Sequence, residues 1–131
     1  MAQERQEESA KSLSGTPIMT ADIATLAQQI KSEGSWKTAP RASRVVANLP
    51  PLRVVLHVMH VGAATPVHRA AGPISVFVIS GRIQFRADDH TAMLTAGQML
   101  TLESGRPHAV EAPEDAVFLV TVAVDRAMSP S

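Results

Sequence analysis

An all-β barrel or sandwich preceded by one amphipathic helix is the fold this sequence predicts, and three observations carry it. From Val45 onward, short runs rich in valine, isoleucine and phenylalanine alternate with turn residues at close intervals. Before them, Ile23, Leu26, Ala27 and Ile30 recur at helical spacing. No helical period returns after that point, so about eight short strands must build the core by themselves.

The elements follow in chain order. Residues 1 to 17 are rich in Glu, Gln, Ser and Lys, end in Gly15-Thr16-Pro17, and form a leader that buries almost nothing. A helix is predicted over 20–33, with Thr20 or Asp22 as its cap and Gly34 as its stop, and with the stretch 18–44 packing on the barrel as helix and linker. The barrel itself occupies 45–126. Its strands are predicted at Val45–Ala47, Arg53–Val61, Ser75–Ile79, Arg82–Ala87, Thr91–Leu94, Met99–Glu103, His108–Glu111 and Val117–Val124. The breaks between them fall at Asn48-Leu49-Pro50-Pro51, Gly62, Gly72-Pro73, Ser80-Gly81, Asp88-Asp89, Ala96-Gly97, Ser104-Gly105 and Pro113-Glu114-Asp115. The four aromatics, Trp36, Phe77, Phe85 and Phe118, are assigned to packing.

Composition removes several functions. A chain of 131 residues with 45% apolar content supports one domain and one core. Twelve basic residues balance twelve acidic ones without clustering, so neither nucleic acid nor an anionic membrane is an expected partner. Cysteine is absent, which rules out disulfides, thiol catalysis and Cys-type zinc sites. The polar N-terminus lacks the apolar run of a signal peptide, and no stretch reaches the ~18 apolar residues of a membrane span. A cytoplasmic protein is expected.

Two blocks carry a family resemblance. Residues 62 to 81 read G-AATPV-H-RAAGPISVFVIS-G, and residues 97 to 112 read G-QMLTL-E-S-G-RP-H-AVE-A. The first resembles the cupin motif G(X)5HXH(X)3–4E(X)6G through Gly62, His68 and Gly81. The second resembles G(X)5PXG(X)2H(X)3N through Gly97, Gly105 and His108. The chain is therefore similar to a small single-domain cupin of the RmlC-like, type-2 kind. The resemblance implies a double-stranded β-helix, or jelly roll, over roughly residues 52 to 124.

In cupins with these motifs, two histidines and a glutamate of the first block and a histidine of the second bind one divalent metal inside the barrel. Here the first and last ligand positions keep His68 and His108, but the second histidine position is Ala70 and the glutamate position is Ile74. The closing asparagine is Ala112, and the proline of the second motif is Glu103. Two imidazoles hold a divalent ion poorly, so a metal such as Zn, Ni, Cu, Fe or Mn would need a third ligand. His57 is the candidate, because it shares a strand face with Met59 and the resemblance places that face inside the barrel. The competing reading makes His57 a neutral barrel histidine with a hydrogen-bonded neighbour. His60 has the opposite parity and belongs outside, while His90 sits at a hairpin tip. Glu103, Arg106 and Arg69 belong to the rim or the surface.

Ile74, Val76 and Val78 give an interior more apolar than a metal-binding cupin needs. This favours a module that binds a small molecule or a divalent metal through His68, His108 and His57, with no organic cofactor. The alternative is a metal-dependent cupin enzyme, a dioxygenase, isomerase or lyase. A filled scaffold is the third reading. Because the strands carry apolar residues on both faces, as in Val45-Val46 and Val117–Val124, and cupins of this size pair in this way, a homodimer is expected. Light scattering at micromolar concentration should return twice the mass of one chain. A value of one mass would remove the expectation.

Overall fold

The computed structural model describes residues 17–124. The expected leader, apart from Pro17, lies outside the described residues, as do residues 125 and 126 at the end of the expected barrel. Among the described residues eight strands follow one α-helix: α1 is Ile23–Lys31, and β1 to β8 are Arg41–Leu49, Leu52–Met59, Ile74–Ser80, Arg82–Ala87, His90–Thr95, Met99–Leu102, His108–Glu111 and Ala116–Ala123. They form a five-stranded sheet in the order β1-β2-β8-β3-β6 and a three-stranded sheet in the order β5-β4-β7. Every pairing is antiparallel. Among the described residues no helix is long and apolar enough to cross a membrane.

The strand period decides what faces inward. On β3, Ile74, Val76 and Val78 are buried and the intervening Phe77 is exposed. They meet Ile83 and Phe85 of β4, Val110 of β7 and Phe118 of β8 in one cluster between the two sheets. Phe77 is thus not a core residue, contrary to its assignment from sequence. Its parity sends it outward, beside Met99 of β6, its register partner.

A second cluster lies on the outer face of the large sheet. Ala27 and Ile30 of α1 and the buried Trp36 cover Leu56, Val58 and Val117. This cover explains why β2 and β8 are apolar on both faces. Asp22 caps the helix by accepting from the Thr25 N–H at 3.1 Å. The helix stops earlier than predicted, at Lys31 with Ser32 as C-cap, and Gly34 opens a 3-10 turn, Gly34–Lys37. The cause lies in packing: the turn carries Trp36 down onto the sheet, where His60 stacks on it at 3.6 Å.

β1 also begins earlier than its apolar signal, at Arg41 rather than Val45. Arg44 is 7% exposed, and its Nη2 donates to Glu33 Oε2 at 2.6 Å. Its Nε and Nη1 have no partner among the described residues. A buried ion pair of this kind specifies where the turn docks more than it adds stability.

Two glycines are places of close approach. A Cβ on Gly81, whose φ is +77°, would stand 1.9 Å from the Asp115 carbonyl oxygen. One on Gly72 would stand equally close to the Ala123 carbonyl oxygen. No side chain fits at either corner.

The helix makes unequal use of its apolar residues. Ile30 is 1% exposed, whereas Leu26 is only half-buried against the same cluster. Ile30→Ala should therefore cost about 2–5 kcal/mol in urea denaturation, and Leu26→Ala should cost less. Equal and negligible losses would mean that the helix is undocked in solution.

Candidate functional site

Between β2 and β3 the chain is too irregular to count as a strand, yet it pairs. Gly62 N–H donates to Ala112 O at 2.7 Å, Thr65 N–H to Val110 O at 2.9 Å, and Ala112 N–H back to Ala63 O at 2.9 Å. At the end of this run, His68 and His108 exchange both backbone bonds, at 3.0 and 2.9 Å. Residues 62–68 thus lie alongside β7 on the side away from β4. Directly opposed residues of an antiparallel pair put their side chains on the same face. The two imidazoles accordingly stand together, with ring centroids 4.3 Å apart and planes at 59°.

Each ring is held through one nitrogen. His68 Nδ1 donates to the Pro66 carbonyl at 3.0 Å, and His108 Nδ1 donates to the Arg106 carbonyl at 2.9 Å. A carbonyl oxygen only accepts, so the proton of each neutral ring sits on Nδ1 and the lone pair on Nε2. His108 is buried and stacks on Phe85 at 5.4 Å, while His68 is exposed at the other side of the pair. Burial pushes the His108 pKa below its ordinary value, against the opposing pull of the Arg106 carbonyl.

The rings open on a cavity of about 60 Å³ inside the barrel. His57 lines it from β2, stacked on Phe118 at 5.0 Å, and Thr65 lines it from the irregular segment. The remaining wall is apolar, including Ile74, Val76 and Val120. All three histidines singled out from the sequence are brought to this cavity. Ile74, at the lost glutamate position, is part of its wall, and Ala70 packs against the core cluster nearby. Burial, with Arg41 and His68 as lesser contributors, holds His57 down at about 4.

The other polar candidates lie elsewhere. His60 donates Nε2–H to the Trp36 carbonyl at 2.8 Å beneath the helix. His90 is exposed at the start of β5. Arg106 pairs with Asp88 at 2.9 Å and Glu103 at 3.1 Å on the surface, and Arg69 donates to the Gly105 carbonyl at 3.1 Å. Sequence reasoning missed Thr65. Its spacing of three from His68 gives it the opposite parity on a regular extended chain, and nothing in the sequence showed that the segment lies along β7 or that its pairing shifts by one residue between Ala64 and His68.

Comparison with known proteins returns one family. The cupin-domain profile matches residues 55–124. Solved structures agree in fold. A protein of unknown function from Rhizobium leguminosarum has a TM-score of 0.68 at 19% identity, over 84% of this chain and 100% of that one. An RmlC-like cupin from Shewanella frigidimarina has 0.62 at 20%, over 66% and 78%. The KdgF protein from Halomonas sp. has 0.58 at 18%, over 68% and 85%. Identities this low carry the fold alone. No curated protein matches the chain.

The low pKa of His57 links the cavity to stability. Its folded pKa, about 4, lies below the 6.5 of a free histidine. Between these values the unfolded chain binds a proton that the folded chain refuses. The contribution is therefore intact above about pH 6.5 and is lost as pH falls toward 4, by about 3 kcal/mol in all. His57→Leu should flatten that part of the stability profile. An unchanged slope from pH 6.5 to 4 would show that His57 titrates normally.

Proposed function

We propose, from the premise that this chain belongs to the cupin-domain family, that it is a binding module whose barrel cavity takes a small organic molecule at His68 and His108. The observation that carries the reading is the joint state of those two rings. Both spend Nδ1–H on a backbone carbonyl, which leaves an Nε2 lone pair on each of two rings whose centroids are 4.3 Å apart, at a cavity whose wall is mostly apolar. Water reaches the exposed His68, so a ligand that displaces it must itself donate to the rings to recover the loss.

A resident divalent metal fits these residues poorly. Among the described residues no three His, Asp or Glu side chains gather as a ligand group. His57 reaches the cavity but stacks on Phe118, and no carboxylate lines the wall. A Zn, Ni, Cu, Fe or Mn ion would thus rest on two imidazoles, too few to offset its dehydration. The enzyme alternative draws no support from a cavity that lacks both a full ligand set and a carboxylate base. The same proposal includes a homodimer. Its support is now the exposed Phe77–Met99 pair rather than Val117, which the helix covers.

Calorimetric titration of zinc and nickel into wild type, His68→Ala and His108→Ala tests the reading. Wild type should show no stoichiometric binding at micromolar metal, and the two variants should match it. Tight binding that both substitutions abolish would replace the organic ligand with a metal.

A further inference from the structure

We infer that Thr65 is a hydrogen-bond donor of this cavity and that, with His68 and His108, it selects an uncharged alcohol: a hydroxyl group on a short apolar chain. The inference rests on the binding-module reading and names its ligand class.

Thr65 is held twice by one residue. Its N–H donates to the Val110 carbonyl, and its hydroxyl oxygen accepts the Val110 N–H at 3.0 Å. The second bond occupies a lone pair and leaves the hydroxyl proton unspent. A threonine hydroxyl has one proton to give, and among the described residues no group accepts this one. The cavity therefore offers an O–H donor from Thr65 and two nitrogen acceptors from His68 and His108, beside the neutral His57 ring with one N–H and one acceptor nitrogen.

Chemistry then sorts the ligands. A hydroxyl group accepts from Thr65 and donates its own proton to an imidazole nitrogen, so it answers both kinds of site with one atom. A carboxylate accepts from Thr65 but has no proton for the rings. Its charge would also stand unpaired, because no lysine or arginine lines the cavity. An ammonium reaches the rings but leaves the Thr65 proton without an acceptor, and no aspartate or glutamate lines the cavity to balance it. An alkane offers nothing to any of these polar groups. The volume of about 60 Å³, at about 10–15 Å³ for each water-sized group, leaves room for a hydroxyl and two or three carbons against Ile74, Val76 and Val120.

The test is an NMR titration of the full chain at neutral pH with 1-propanol, propionate and 1-fluoropropane, following the Thr65 and Val110 amides and the imidazole nitrogens. 1-Propanol should give saturable shifts at these positions and move the Nε2 signals of His68 or His108. Propionate and 1-fluoropropane should bind at least about fivefold more weakly. Thr65→Val should weaken 1-propanol by at least about fivefold, and Thr65→Ser should restore it to within about twofold. Because Thr65→Val also loses the bond from Val110, it could fail to fold. The three-ligand comparison on wild type and the serine variant then decide by themselves. Equal binding of 1-propanol and propionate, equal binding by wild type and the valine variant, or no saturable shift with 1-propanol would overturn the inference. Propanol binding at the histidines that ignores Thr65 sinks this inference alone. Tight metal binding at the histidines, with no organic binding, sinks the reading beneath it as well.

Discussion

The backbone exchange between His68 and His108 is the contact on which the rest of the cavity depends. It ties an irregular segment to β7, and by doing so it sets the face on which both imidazoles stand. A shift of one residue in that register would send one ring outward, since successive side chains alternate across an extended chain. The bonds from Gly62, Thr65 and Ala112 tie the earlier part of the run to β7 in a register one residue away, so the segment does not rely on the histidine pair's two hydrogen bonds alone. Thr65 adds a side-chain bond to the same ladder, and this makes it part of the frame as well as of the cavity wall.

Around that contact, the fold keeps its two apolar populations apart. The inward residues of β3, β4, β7 and β8 close the space between the sheets. The outward residues of β2 and β8 would be exposed without α1 and Trp36. The helix is thus a lid on the outer face of the large sheet, and it takes no part in the cavity. Arg44 and Glu33 show how the lid is located: the ion pair fixes the turn after α1 against β1 and leaves two guanidinium nitrogens without partners among the described residues. Corners where backbone meets backbone, at Gly72 and Gly81, seat the chain closely against the two ends of β8.

The chemistry of the cavity follows from what replaced the family's ligands. An isoleucine where the resemblance implies a glutamate removes an anion and adds wall, and an alanine where it implies a histidine removes a donor and adds packing. What is left is a site with imidazole acceptors, few donors and no permanent charge. Burial reinforces this state at His57, since a charged imidazole there would lack both water and a counter-ion. The fold supplies the position of such a site, and the side chains supply its preference.

Much of this protein was legible in its residues. The period of 3.6 at Ile23, Leu26, Ala27 and Ile30 and the period of two at Ile74, Val76 and Val78 are local properties, so they located the helix and the strand faces. The glycines at 62, 81, 97 and 105, all with positive φ, marked the corners for the same local reason. The pairing of His68 with His108 was legible only through the resemblance, because 40 residues separate them. Three features belonged to tertiary structure alone. The helix ended at Lys31 because Trp36 had a core to enter, β1 began at Arg41 because an arginine could be buried against Glu33, and Thr65 reached the cavity because its segment lay along β7. Each depends on a surface made by residues distant in the chain. Local periodicity determines which way a side chain points, and only the folded chain determines what it meets there.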